Sequence, residues 1–232
     1  MFDHFIWSVV VCPVLVAVAV RFLADRMRPD TSVLFSVTSL AVTAAACVIN
    51  LAAFAVKALA ELPFVAGPLG FSAERVRADT AYVPWVSWVS AVLLIGVCAG
   101  LIRVWRQHHR DAVFARRYAA LPTEDGLALI DDDRAEAFAV PGRPGRIVVT
   151  TGMRAALDDD QYAALLAHER AHLSAGHHRL VQFARLAAAA YPGFWWLARR
   201  MEYLVERAAD ERAADELGSR RVVARAIGAA AL

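Results

Sequence analysis

Residues 168–172 read His-Glu-Arg-Ala-His. On a helix, positions four apart share one face, so the imidazoles of His168 and His172 can turn their ring nitrogens onto one divalent cation. Imidazoles joined by a carboxylate suit zinc, and a zinc ion that keeps one position open makes a hydrolytic centre. Glu169, directly after the first imidazole, is in reach of a water polarised by such an ion. It can take that water's proton during attack and pass it to a leaving amine. The chemistry these residues suit is hydrolysis of a peptide bond, with Zn2+ as cofactor, His168 and His172 as ligands and Glu169 as general base.

A hydrolytic zinc takes three protein ligands. His178 is one source of the third. A chain closing from there needs its sharp turn at position 175, which is Ala175, whereas the glycine stands one place later as Gly176. The other source is a glutamate on a later helix, followed four residues on by an aspartate that can orient a ligand imidazole. Glu206 with Asp210 fits this pattern, and Glu211 with Asp215 repeats it further on. Glu206 is preferred, Glu211 stays open as the alternative register, and His178 trails both. His177 and His178 then read as polar residues at a helix end. Arg199, Arg200, Arg207 and Tyr203 are candidates for steadying an oxyanion, with anchoring at headgroups or in solvent preferred for the arginines.

These residues need elements to hold them. A helix is expected from Asp158 as N-cap, with Gln161 completing a capping box, through Leu165, Leu166 and the His168–His172 motif to near Gly176. Upstream, Leu127–Asp131, Ala135–Val140 and Arg146–Thr151 read as short strands, with Pro141, Gly142, Pro144 and Gly145 turning the chain between the last two. Downstream, an apolar stretch over 180–198 is interrupted by Arg185 and Pro192-Gly193. A charged helix then runs from Arg199 to about Leu217, with Gly218 as its stop.

The segments Ala137–Gly142, Arg146–Gly152, His168–His172 and Glu206–Asp210, in this order, resemble the integral-membrane gluzincin metallopeptidases. These comprise the HtpX-like and CAAX-protease group and the BlaR/MecR-type sensor peptidases. The resemblance covers residues 125–218 or so. It implies that His168, His172 and Glu206 bind zinc, that Glu169 is the base and that Asp210 orients a ligand. It also favours Glu206 over Glu211, because a glycine follows the family's acidic pair at a spacing that Gly218 meets better from Asp210 than from Asp215. The turn between Val140 and Val149 resembles the edge strand beside the active site. There Val140, Ile147, Val148 and Val149 would offer backbone to an extended substrate.

The rest of the chain says where such chemistry would take place. The 232 residues carry a net charge of +2, are 59% hydrophobic and have a mean hydropathy of +0.43. That excludes a disordered chain, a disulfide-stapled module and an ordinary nucleic-acid binder. Lys57 is the only lysine, and no arginine run tracks a phosphate backbone, so no nucleic-acid partner is expected. Cys12, Cys47 and Cys98 stand singly in apolar runs, without the spacing of a zinc site or a disulfide framework. Three segments, Phe5–Leu23, Val33–Leu59 and Tyr82–Val104, reach the roughly 20 apolar residues a bilayer requires. Trp85, Trp88 and Trp105 flank the third as interfacial anchors.

Arginine placement orients these spans. Arg21, Arg26 and Arg28 flank the first loop, and Arg103, Arg106, Arg110, Arg116 and Arg117 follow the third span, whereas the loop Glu61–Ala81 is balanced. The positive-inside rule puts the amino terminus outside and everything after Arg103 in the cytoplasm. Because His168 and Glu206 must share one side to share one ion, 180–198 is expected as a re-entrant or interfacial hairpin turning at Tyr191-Pro192-Gly193. A fourth span would part the ligands, and a buried core helix is the bland alternative.

The expected architecture is a mainly α membrane protein. Three N-terminal transmembrane helices (1–106) precede a cytoplasmic α+β zincin-like metallopeptidase domain (107–232) with a small β-sheet. Arginine- and alanine-heavy usage points to a GC-rich bacterial genome, hence a multi-pass protein of a bacterial plasma membrane. The partners expected are the lipid bilayer and a protein or peptide substrate; the sequence sets no oligomeric state. The function expected is a membrane-embedded zinc endopeptidase. The alternative is a membrane sensor whose zinc site is regulatory or catalytically idle.

Overall fold

The computed structural model describes residues 2–62, 65, 74 and 84–230, and most of them are helical. Helix α1 begins as Phe2–Phe5, passes through a π-helical stretch Ile6–Val11 and continues as Cys12–Leu23. Helices α2 (Pro29–Ala60) and α3 (Pro84–Ala119) follow. Three helices, Asp3–Arg26, Pro29–Ala60 and Trp85–Tyr118, are long and apolar enough to cross a membrane. Apart from residues 61, 62, 65 and 74, the loop Glu61–Ala81 lies outside the described residues. The π-helical spacing ends at Pro13 for a local reason. That wider hydrogen-bond spacing would assign the Ser8 carbonyl to residue 13, which is a proline without an N–H. The Cys47 thiol donates to that carbonyl instead, at 3.3 Å.

The chain packs as two compact units, one made of 1–26, 35–106 and 183–199, the other of 27–34, 107–182 and 200–232. In the first, Leu40, Cys47, Ala58, Val86, Phe194 and Leu197 are buried, while Val42, Ile49, Val92 and Ile95 stand exposed on the helix surfaces. That inversion of solubility is what a lipid environment accommodates. The apolar stretch 180–198 is not one helix. It is divided between α6 (His177–Ala190) and α7 (Trp195–Leu217) by a 3-10 turn, Pro192–Phe194. A Cβ on Gly100 of α3 would lie 3.0 Å from the Ala189 carbonyl oxygen, so α3 and α6 meet backbone to backbone at this glycine.

The second unit holds a three-stranded sheet of β1 (Leu127–Ile130), β2 (Ala137–Val140) and β3 (Arg146–Thr150). The order is β1-β3-β2, with β1 parallel and β2 antiparallel to the central β3. The alternation of side chains along β3 divides its apolar residues between two faces. Ile147 and Val149 pack with Met153, Leu157, Leu165 and Leu166; Val148 packs with Ala128 and Val140, against Ala115, Tyr118 and Leu121. The latter face is covered because α3 runs on past the apolar span to Ala119. Nothing in that charged segment breaks a helix before Pro122.

After the short α4 (Thr151–Ala156), helix α5 runs from Asp159 to Ala175. Its start is the expected capping box. The Asp158 carboxylate accepts from the Gln161 N–H at 2.8 Å and the Gln161 side chain accepts from the Asp158 N–H at 3.0 Å, an arrangement that stabilises a helix by about 1 kcal/mol. The small residues Ala164 and Ala167 of α5 pack on Ala213 and Ala214 of α7 and on Val223 and Ala226 of α8 (Arg220–Ala230). Alanine faces let helix axes approach to the short end of the usual 8–10 Å. From this shared core Glu206 and Asp210 of α7 reach the imidazoles of α5.

The loop after β1 lies hard against the first turn of α4. Gly152 donates its N–H to the Asp132 carbonyl at 2.9 Å, and a Cβ there would stand only 2.1 Å from the Asp133 carbonyl oxygen. Gly152→Ala is therefore expected to destabilise the chain by about 1–3 kcal/mol, read as a lowered Tm of the purified protein in detergent. An unchanged Tm would show that the loop yields freely.

Candidate metal centre

His168 and His172 lie one turn apart on α5, and their Nε2 atoms face each other at 3.0 Å. Helix α7 brings in Glu206, whose Oε2 lies 3.3 Å from His168 Nε2 and 3.5 Å from His172 Nε2. Zinc ligands at about 2.0–2.1 Å in tetrahedral array stand roughly 3.3 Å from one another. The three edges bracket that value, so the donor set fits a tetrahedral ion in both chemistry and spacing, and these residues could hold a metal. Three electron-pair donors aimed at one point repel unless a cation lies among them. The Glu206 side chain is more than half exposed, at 57%, so the centre is open on that side.

Each imidazole is held from behind. Asp210, one turn beyond Glu206 on α7, places Oδ1 2.9 Å from His168 Nδ1, and both atoms are shut off from solvent. On the other ring, His172 Nδ1 lies 3.1 Å from Nδ1 of His177, the first residue of α6. Burial opposes a charge on His168, but hydrogen bonds to Asp210 and Glu206 outweigh it and carry its pKa up to about 9. Glu206 is held far below the ordinary carboxylate range, first by its hydrogen bond with His168 and then by that with His172. Burial pushes His177 down to about 4, with the neighbouring His172 adding to it, so that ring is neutral.

Glu169 is buried at 9% exposure, and that burial, first among the causes, raises its pKa. The backbone N–H of Ala139 on β2 offsets part of that rise. The direction of that N–H follows from the sheet. Thr150 donates to the Glu136 carbonyl across the β2–β3 pair at 3.0 Å. In an antiparallel ladder the hydrogen-bonded pairs alternate, so 136, 138 and 140 face β3, while Ala137 and Ala139 turn their backbone groups to the open edge.

This overturns part of the expectation for substrate pairing. Ile147, Val148 and Val149 lie in the central strand, whose two edges are taken by β1 and β2, and the Val140 backbone faces β3. The backbone groups that face the open edge beside Glu169 belong to Ala137 and Ala139. The other candidates also separate. Glu211 pairs with Arg220 away from the imidazoles, and His178 faces outward. The left-handed turn after α5 is at Gly176, φ 63°, not at position 175. Arg199 lies over the Trp195 ring, 5.6 Å from its centroid, and Tyr203 is exposed. The residue missed was His177. Its signal was the Gly176-His177 pair immediately after the motif helix, which reads as a helix end unless the direction of the turn is known.

Residues 103–200 match the model of Peptidase family M48. The M48 match takes in the sheet, α5 and the His168–His172 motif, stops short of Glu206 and Asp210, and spans less than half of the chain. It supports a metallopeptidase, and M48 peptidases are in general zinc-dependent. No curated protein and no solved structure matches the chain.

The geometry distinguishes the two acidic registers. Glu206→Gln is expected to weaken zinc binding by about tenfold or more, and Glu211→Gln to leave it unchanged, as measured by chelator competition on the purified chain. Equal losses in both variants would show that the carboxylate ligand has been misassigned.

Proposed function

We propose that this chain is a membrane-embedded, zinc-dependent endopeptidase of the gluzincin kind, cleaving a protein or peptide substrate near the bilayer. The observation that carries the reading is the meeting of His168 Nε2, His172 Nε2 and Glu206 Oε2 within 3.5 Å of one another, with the buried Glu169 carboxylate beside them. His168, His172 and Glu206 would hold the ion. Bound there, zinc lowers the pKa of a water and polarises the scissile carbonyl.

The chain's own groups do the rest. Glu169 takes a proton from the attacking water and returns it to the leaving amine. A pKa raised by burial suits both halves of that task, since the group must accept and then release the same proton. The Ala139 N–H offsets part of that rise. The edge of β2 supports an extended substrate laid alongside it, the Ala137 N–H and the carbonyls of Ala137 and Ala139 being directed outward. Asp210 fixes the tautomer of His168, leaving Nε2 as the free donor.

Arginine asymmetry supports a cytoplasmic placing of 107–232, with the active site at the inner face of a bacterial plasma membrane. The break at Pro192 supports a re-entrant hairpin over 180–198. The nearness of His177 and Glu206, one before and one after that stretch, to the same His172 ring supports the same reading. Grouping with the HtpX-like and CAAX proteases or the BlaR/MecR-type sensors belongs to the same proposal.

The test is direct. Glu169→Gln is expected to keep one zinc per chain while casein cleavage and self-cleavage fall by about 10²-fold or more, and removal of zinc by a chelator to abolish cleavage in the wild type. A Glu169→Gln variant as active as wild type, or cleavage that persists without metal, would overturn the mechanism.

A further inference from the structure

His177 has no part in the chemistry above, yet it is 2% exposed and its ring meets that of His172 almost at right angles, 86°, with centroids 4.9 Å apart. Its Nδ1 lies 3.1 Å from His172 Nδ1. We propose that His177 is the positioning residue of His172, accepting a hydrogen bond from His172 Nδ1–H and so presenting the His172 Nε2 lone pair to the metal. The inference rests on the metal site proposed above.

The proton inventory sets the direction of this bond. Two imidazole nitrogens at hydrogen-bond distance must be one N–H and one lone pair. If His172 donates, its Nε2 is free to bind a cation. If His177 donated instead, the His172 proton would sit on Nε2, aimed at His168 Nε2 only 3.0 Å away, and the ligand position would be closed. One hydrogen bond therefore decides whether the second imidazole is a ligand at all.

Local backbone puts His177 there. Gly176 takes the left-handed conformation, φ 63°, and its N–H donates to the carbonyls of His172 and Leu173. The reversal begins at the carbonyl of His172, so the next residue comes back alongside its ring, while the following His178 faces out. The two ligand imidazoles thus have unlike partners. His168 is backed by a carboxylate, and His172 by a second imidazole, which orients it without adding a third carboxylate beside Glu206 and Asp210.

The test uses the full chain in detergent and zinc alone as probe, titrated against a chromophoric chelator, with Co2+ absorption as a second readout of the coordination sphere. His177→Leu keeps bulk and removes the acceptor. His177→Asn keeps an acceptor, its Oδ1 standing where the imidazole Nδ1 stood. The expected result is roughly a 10–100-fold loss of zinc affinity and an altered Co2+ spectrum for His177→Leu, with both largely restored in His177→Asn. Zinc affinity in His177→Leu equal to wild type, or a His177→Asn variant as weak as His177→Leu, overturns the inference while leaving the metal site standing. A wild-type chain that binds no zinc overturns the metal site and this inference with it.

Discussion

Three donor atoms, His168 Nε2, His172 Nε2 and Glu206 Oε2, are held 3.0–3.5 Å apart with their lone pairs converging. Such a cluster is unfavourable unless positive charge lies within it. A proton on His168 meets that need in part, which is why Asp210 and Glu206 lift its pKa so far against the cost of burial. A divalent cation meets it fully, as zinc sites built from imidazole and carboxylate do. The depressed pKa of Glu206 has the same origin seen from the acid's side. The rest of the second unit can be understood as the framework that makes this crowding tolerable.

The groups at the site are each secured by a different element. Asp210 of α7 holds His168, the first residue of α6 meets His172, and the open edge of β2 lies beside Glu169. Ala164 and Ala167 of α5 share a core with Ala213 and Ala214 of α7, and the Glu206 side chain of α7 closes the triangle. The site is thus over-determined by sheet, helix pair and turn together, as a preorganised centre requires. It also constrains the path of the chain. His172 and Glu206, on either flank of 180–198, come within 3.5 Å of each other, and a 3-10 turn at Pro192–Phe194 interrupts the helical chain between them.

Much of this could be read from the amino acids because the signals were local. Asp158 and Gln161 announced the start of α5, Gly176 its end, and the spacing of His168 and His172 their common face, all of which follow from the geometry of a single helix. The three apolar spans were legible for the same reason, since length and hydropathy depend on no neighbour. The preference for Glu206 over Glu211 came from a pattern, and the distances to the imidazoles agree with it.

What the residues alone could not determine depended on pairing and direction. Strand order is a tertiary fact. Val148 and Val149 look like fine pairing residues until β1 and β2 occupy both of their edges, and only then does the open edge pass to Ala137 and Ala139. The packing of Ala115 and Tyr118 of α3 against one face of the sheet is likewise a tertiary fact. The place of His177 depended on the sign of one backbone angle at Gly176, which directs the next side chain either to solvent or onto a neighbouring ring. The sequence by itself determined which groups could do chemistry and which helix carries them, because those are properties of one element. Only the folded chain decided what stands behind each group, because that requires elements distant in sequence to meet.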